Sequence, residues 1–248
     1  MSVEPAVTAL SDRQWDVLRA VEERGFVTIE GLAEEFQVSA QTIRRDIIAL
    51  DAAGFLQRFH GGAGIGRQDA AVRLAHRYKQ DVAFDAKQRI AERVGKLIPD
   101  GASLFLDVGT TIEAAARALS LRSGLTVFTN SMNAAAAFSA DDHEVFVLGG
   151  RLGGSDGSLV GESVVAALTE LRLDYALIGC SGVEDTGAVM DFDLRKIVIK
   201  KTAMRVSRQR LLLAASEKLG RSAQAQIATR DDFDAVITER GDNRESIS

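Results

Sequence analysis

The sequence predicts a small helical unit that ends in a β-hairpin, followed by a larger α/β domain with a mostly parallel sheet. Three observations carry this. The first sixty or so residues show helical apolar periodicity and one short alternating segment. From Lys87 onward, short apolar runs alternate with helical patterns, as in βαβ units. The strand-like runs are almost wholly apolar, as in strands buried on both faces. The expected boundaries are 10–65 for the first unit, 66–85 for a polar, charged linker and 86–240 for the second domain.

In the first unit, Asp12 to Glu23 places Trp15, Leu18 and Val21 at helical spacing and stops at Gly25, a residue suited to a helix C-terminus. Phe26-Val27 leads into a short second helix that buries Leu32, Ala33 and Phe36. Gln37-Val38 is a tight turn. Ser39 caps a third helix by accepting from a free N–H of its first turn. Ile43, Ile47 and Leu50 form the buried face of that helix. Gln41, Thr42, Arg44 and Arg45 put hydrogen-bonding side chains into its start, the arrangement of a helix that enters a major groove. Arg pairs bidentately with guanine and Gln with adenine. After Gly54, the alternation Phe55-Leu56-Gln57-Arg58-Phe59-His60-Gly61-Gly62 predicts a hairpin or wing, with Arg58 and His60 toward a DNA backbone. The unit therefore reads as a winged helix-turn-helix.

The run Val38 to Asp46, with Leu50, Gly54, Arg58 and His60-Gly61-Gly62-Ala63, resembles the signature of DeoR-family bacterial transcription regulators. The resemblance implies that Ser39, Gln41, Thr42, Arg44 and Arg45 approach an operator. Asp46 is expected to be structural, orienting Arg45 or a neighbouring backbone group, because a carboxylate facing phosphates is unfavourable.

Charge fits this reading locally. The chain of 248 residues has a formal net charge of −5. Residues 11–67 hold seven Arg and nine acids, a net of −2, whereas 39–67 hold four Arg and two Asp, a net of +2. A net-acidic protein with one basic face binds DNA through few phosphate contacts and is salt-sensitive.

In the second domain, Ile90, Val94 and Leu97-Ile98 mark a helix face that ends at Pro99-Asp100-Gly101. Strands are expected at 103–106, 125–128, 144–148, 175–179, 211–214 and 235–238. Helices are expected from 111 to 119, after Ser131, from 160 to 171 and from 192 to 206. Nearly every strand ends in Gly, Ser, Thr, Asn or a charged residue, and ligands of parallel sheets bind outside the carboxyl ends of the strands. Asp107-Val108-Gly109-Thr110-Thr111 fits an anion cradle. Gly109 permits the turn, the two threonines supply hydroxyls and the next helix directs its free N–H groups inward. Asp107 is suited to accept from a ligand hydroxyl, and Arg151 and Lys218 are the candidate cations for a phosphate. Each piece alone is an ordinary turn or cap; their convergence on one sheet edge favours a small, phosphorylated, hydroxyl-bearing ligand.

The resemblance continues here and covers Leu10 to Glu239. Asp107 to Thr111, Thr129-Asn130-Ser131, Gly149-Gly150, Gly161-Glu162, Ser181-Gly182 and Lys218 are similar to markers of the DeoR C-terminal sensor domain. That fold is related to ribose-5-phosphate isomerase. The resemblance implies effector contacts from Asp107, Gly109, Thr110, Thr111, Thr129, Asn130, Ser131, Gly150, Arg151, Gly182 and Lys218. The segments Ser155 to Glu162 and Asp191-Phe192-Asp193 resemble glycerol-3-phosphate regulon repressors. One departure stands out. The family pattern Asp-x-Ser-Lys reads Ala215-Ser216-Glu217-Lys218 here, so either the ligand contacts differ or Glu217 takes part of the role.

The expected function is a transcription regulator, a repressor of carbohydrate or polyol genes. It binds double-stranded operator DNA as a homodimer or homotetramer and responds to a sugar or polyol phosphate such as glycerol 3-phosphate. The alternative is a sugar-phosphate isomerase-like enzyme. Such chemistry needs a carboxylate base, and related isomerases carry Asp-Gly-Ala-Asp where this chain has Gly179-Cys180-Ser181-Gly182. An architectural DNA binder is disfavoured by the acidic total and the strand-end clusters. Cys180, the only cysteine, excludes an intrachain disulfide, and His60, His76 and His143 lack metal-ligand spacing. No cofactor, metal or catalytic residue is assigned. His143, beside Asp141-Asp142, is expected in solvent. No apolar run reaches membrane-spanning length and no signal-peptide pattern opens the chain, so a cytoplasmic location is expected.

Overall fold

The computed structural model describes residues 10–24, 26–53, 55–59, 61–64, 83–154 and 156–243. The chain divides into two compact units, one within residues 1–75 and one within 76–248. Gly25, Gly54, His60 and residues 66–82 of the expected linker lie outside the described residues.

The first unit contains helices α1 (Asp12–Arg24), α2 (Ile29–Glu35) and α3 (Ala40–Ala52), and strands β1 (Phe26–Thr28), β2 (Gln57–Phe59) and β3 (Gly62–Gly64). The strands form an antiparallel sheet in the order β1-β3-β2. The wing hairpin is thus β2–β3. Phe26-Val27, read as a lead-in, is a third strand that pairs with the wing at Val27↔Ala63. Val17, Leu32, Ile43, Ile47 and Leu50 are fully buried and join the three helices into one core.

The turn between α2 and α3 is locally determined. The Val38 N–H donates to the Ala33 carbonyl at 3.0 Å and the Gln37 N–H to the Glu34 carbonyl at 3.2 Å, the paired bonds of a Schellman motif. Its left-handed position is Gln37, at φ 53°. A side chain there is strained where glycine is not. Ser39 then caps α3, its Oγ accepting the Thr42 N–H at 3.1 Å. Asp46 is buried, in keeping with a structural role, but its partner is Arg13 of α1 at 2.6 Å rather than Arg45 or a neighbouring backbone group.

The second unit is built on a seven-stranded sheet. Its strands are β4 (Ser103–Leu106), β5 (Thr126–Thr129), β6 (Glu144–Val147), β9 (Leu173–Gly179), β12 (Ser207–Leu213), β14 (Ala235–Ile237) and β15 (Asp242–Asn243). The order is β15-β14-β12-β9-β4-β5-β6. Every pairing is parallel except β14–β15. Short strands β7 (Arg151–Leu152) and β8 (Leu159–Val160) form a hairpin, and β10 (Gly182–Val183), β11 (Ala188–Asp191) and β13 (Ala225–Thr229) form a separate antiparallel sheet.

Alternation along the strands divides the core in two. Leu104, Leu106, Leu177, Leu211 and Leu213 face one cluster with α4 (Phe84–Leu97) and α5 (Thr110–Leu119). Phe105, Ala176, Ile178 and Leu212 face the other, with α7 (Glu162–Thr169) and α8 (Leu194–Val206). A strand covered on both faces has no polar side to show, which explains the continuous apolar runs.

Several expectations are revised. The Ala-rich helix after Ser131 is a single turn, α6 (Met132–Ala135), and the helix expected over 160–171 covers only α7. The small antiparallel sheet was not anticipated. His143 is buried, not solvated: Nδ1 accepts the Leu125 N–H at 3.3 Å and Nε2 lies 3.3 Å from the Ser120 carbonyl.

Replacing Gln37 by glycine removes a side chain from a left-handed residue and is expected to stabilise the first unit by about 0.5–1 kcal/mol. Trp15, the only tryptophan, reports on this unit, so urea unfolding followed by its fluorescence measures the change. A midpoint unchanged or lowered would show that Gln37 bears no strain.

Candidate functional site

The first candidate surface is the outer face of α3. Gln41, Arg44 and Arg45 are exposed there, with Thr42 half-buried. The Ser39 and Thr42 hydroxyls lie 2.8 Å apart and share a hydrogen bond, so Ser39 is committed to the cap. In the wing, Arg58 is exposed and its backbone N–H donates to Asp51 Oδ1 at 3.0 Å, which ties β2 to the end of α3. His60 lies outside the described residues.

The second candidate surface is the carboxyl edge of the parallel sheet. From β4 the chain moves outward through β5 to β6, then returns on the other side as β9. The connections from neighbouring strands β4 and β9 therefore lead away in opposite directions, and open α/β sheets place their ligand crevice at such a switch point. Asp107, immediately after β4, sits in that position. It is 1% exposed. Its Oδ2 accepts the Gly179 N–H at 2.9 Å and the Lys200 ammonium at 2.5 Å.

Lys200, on α8, is itself 1% exposed. It also donates to the Gly179 carbonyl at 2.8 Å and lies 3.0 Å from Asp191 Oδ2 on β11. Burial works to lower its pKa, but the charges and hydrogen bonds of Asp107 and Asp191 outweigh it, and the ammonium is held charged more firmly than usual. Asp107 goes the other way. Burial pushes its carboxyl up, against the charge and hydrogen bond of Lys200 and the backbone N–H groups of Val108 and Gly179. Burial also pushes on Asp191, but Lys200, the Ser181 hydroxyl and the Phe192 N–H together hold it below the usual carboxylate range. Two carboxylates thus share one cation. Neither Lys200 nor Asp191 was assigned from sequence; an apolar, lysine-rich helix such as α8 gives no sign of which lysine is buried.

Three polar atoms around this crevice are buried without a hydrogen-bond partner: Asp107 Oδ1, Thr111 Oγ1 and Asn130 Oδ1. Asp107 follows β4, Asn130 follows the adjacent β5, and Thr111 is in the first turn of α5. Gly109 caps α5 at φ 113° without a side-chain bond, with open space where a Cβ would stand. A ten-residue helix with an uncapped N-terminus and buried unpaired acceptors beside it is equipped for a ligand that brings both charge and donors.

The other residues expected here divide by role. The Thr129 hydroxyl donates to the Leu106 carbonyl at 2.7 Å and accepts the Ser131 N–H at 3.0 Å. Ser131 caps α6 through the Ala134 N–H, and Asn130 Nδ2 donates to the Leu159 carbonyl at 2.9 Å. These bonds fasten the ends of β4, β5 and β8 together. Thr110 opens α5 and is half-buried. Gly150 has no room for a Cβ, which would stand 2.8 Å from Val160, and at Gly182 it would meet the Arg221 carbonyl at 2.4 Å; both glycines serve chain packing. Arg151 is exposed on β7. Lys218 is half-buried in a 3₁₀ turn (Ser216–Lys218) beyond β12, its Nζ donating to the Cys180 carbonyl at 2.6 Å.

Family models match both units: a DeoR-like helix-turn-helix domain over residues 13–69 and a DeoR C terminal sensor domain over 82–240. The chain belongs to the DeoR family. It is 34% identical over 230 residues to the glycerol-3-phosphate regulon repressor of Escherichia coli (strain K12), covering 92% of this chain and 90% of that one. It is 29% identical over 234 residues to a lactose phosphotransferase system repressor of Staphylococcus epidermidis, covering 93% and 92%. Among solved structures, ribose 5-phosphate isomerase A of Methanocaldococcus jannaschii aligns over 55% of each chain, with 19% identity and a TM-score of 0.42. Among the described residues of this DeoR-family chain, no helix is long and apolar enough to cross a membrane, and no cluster of His, Cys, Asp or Glu could hold a metal ion.

Lys200→Met leaves the buried Asp107 and the half-buried Asp191 without their cation. It is expected to destabilise the second unit by about 3–5 kcal/mol, and adding Asp107→Asn should recover part of that loss in thermal unfolding followed by circular dichroism. Asp191 sets a pH dependence. Its folded pKa is lowered, so its stabilisation is complete above the ordinary carboxylate range and is lost as pH falls through the lowered value. Asp191→Asn should flatten the acid limb of stability against pH; an unchanged limb would mean that this carboxyl is not held by Lys200.

Proposed function

We propose that this regulator is a repressor of carbohydrate or polyol genes whose effector is a sugar or polyol phosphate. In this reading α3 and the β2–β3 wing contact double-stranded operator DNA, through Gln41, Thr42, Arg44, Arg45 and Arg58. The effector phosphate lies at the N-terminus of α5 with Lys218, and Arg151 supplies charge at the same sheet edge. A ligand hydroxyl donates to Asp107. The observation that carries the effector assignment is the set of unpaired buried atoms on Asp107, Thr111 and Asn130 beside the open Gly109 cap. The repressor names of the relatives, glycerol-3-phosphate regulon repressor first among them, support regulation rather than catalysis. One helix-turn-helix reads little DNA, so a homodimer or homotetramer on repeated half-sites is proposed.

The control is linkage: a ligand that prefers the DNA-free protein loosens the operator by its differential affinity. Tenfold release requires ~1.4 kcal/mol, within reach of a few phosphate hydrogen bonds.

The test is fluorescence anisotropy at fixed salt on DNA from upstream of the protein's own gene, with and without glycerol 3-phosphate. Specific binding weakened by the ligand supports the whole reading. Specific binding indifferent to glycerol 3-phosphate and to a panel of sugar phosphates would remove the effector assignment. Arg45→Ala is expected to weaken operator binding about tenfold or more, the range of one lost base contact, without changing ligand affinity. Lys218→Ala should lose the ligand response and keep DNA binding; a normal response would place the phosphate elsewhere.

A further inference from the structure

The outward stripe of α3 contains a residue that no charge explains. Gln41, Arg44, Arg45 and Ile48 follow one another at intervals of three, one and three residues and all are exposed, while Ile43, Ile47 and Leu50 are fully buried behind them. Ile48 is 44% exposed, and among the described side chains of residues 10–64 it is the one large apolar group left in solvent. The unit buries or half-buries Leu10, Trp15, Phe36, Val38 and Phe55, yet places an isoleucine beside two arginines on the face it turns outward. One turn further on, Asp51 is taken up by the Arg58 N–H and closes the stripe.

We infer that Ile48 reads the C5-methyl group of a thymine in the operator. This rests on α3 being the DNA-reading helix. The major groove offers donors and acceptors on every base pair but one kind of apolar group, the thymine methyl, and a short aliphatic side chain on a groove-bound helix recognises it by contact. Isoleucine is suited to this. Its branched Cβ confines χ1 to one strongly preferred rotamer in a helix, so little freedom is lost on docking. Ile48 lies about 6 Å along the axis from Arg44, which places the thymine about two base pairs beyond the base that Arg44 contacts. The flanking arginines attract a polyanion and disfavour a purely apolar protein partner, which selects DNA as the occupant of this face.

The test uses the full chain and duplexes selected by it from a random pool. Each thymine is replaced in turn by deoxyuridine, which lacks only the methyl, and binding is followed by anisotropy at fixed salt. At one thymine per half-site the replacement is expected to weaken wild-type binding about fourfold, the ~0.8 kcal/mol of one buried methyl. Ile48→Ala should lose a similar factor on the thymine duplex and become indifferent to deoxyuridine at that position. Circular dichroism confirms that the variant folds, and an exposed helical alanine is well tolerated. The assignment is overturned if no single replacement affects the wild type, if Ile48→Ala keeps the wild-type sensitivity, or if Ile48→Ala instead changes the sedimentation mass, which would make this face a contact between copies. Arg45→Ala separates the two levels. If it binds like the wild type, α3 is not the reading helix; if it loses binding while deoxyuridine has no effect, only the role of Ile48 fails.

Discussion

The second unit is organised around a single buried ammonium. Lys200 bonds at once to Asp107 at the end of β4, to the Gly179 carbonyl at the end of β9 and to Asp191 in the small antiparallel sheet. The first two are the parallel strands between which the strand order reverses, and the third belongs to the small sheet. Hydrophobic burial is non-directional and would tolerate a range of small sliding adjustments between them. A desolvated ion pair tolerates few, because any lengthening leaves charge unpaired in a low-dielectric interior. The geometry of the crevice is therefore set by an electrostatic contact, while its stability comes from the two apolar clusters on either side.

The same contact shapes what the crevice accepts. One cation against two carboxylates leaves negative charge near Asp107, whose Oδ1 has no hydrogen-bond partner. A phosphate placed against that atom would be repelled. A hydroxyl would be welcomed. The anion-favouring groups are different ones, the α5 N-terminus and Lys218. In the proposed reading this division requires a ligand that carries its charge at one end and hydroxyls at the other, which describes a polyol or sugar phosphate better than it describes free phosphate or an uncharged sugar.

What could be read from the sequence depended on range. The turn before α3, the Ser39 cap and the buried triplet Ile43, Ile47 and Leu50 are written in contiguous residues, and they were legible. The strand runs and their Gly, Ser and Thr ends were legible for the same reason. Contacts between distant residues were not. Asp46 finds Arg13, 33 positions away, and Lys200 finds Asp107, 93 positions away. Nothing local distinguishes Lys200 from Lys201, which is exposed one position later. Strand β10 is only two residues long, and β11 finds β13 more than thirty positions further along the chain. His143 was misread because its neighbours are acidic and its acceptor role depends on the Leu125 backbone, which the strand before it brings alongside.

At the Ala215 departure, the turn before Lys218 is held by a carboxylate from elsewhere in the fold. Ala215 is fully buried in the core, and Glu217, the acid two positions on, is exposed. The carboxylate comes instead from beyond β14: Glu239 accepts the Ser216 N–H at 2.9 Å, and its pKa is held low by that bond against the opposing effect of burial. A loop N–H at the edge of the sheet must find an acceptor, and Glu239 provides it, so the turn that presents Lys218 is fixed without an acid at position 215. The consequence bears on Lys218 itself. Its ammonium donates to a neutral carbonyl, that of Cys180, rather than to a carboxylate. A lysine bound in an ion pair has its charge already answered. Lys218, oriented by a carbonyl and left with its positive charge uncompensated by that bond, retains the attraction for an anion that the proposed effector site requires.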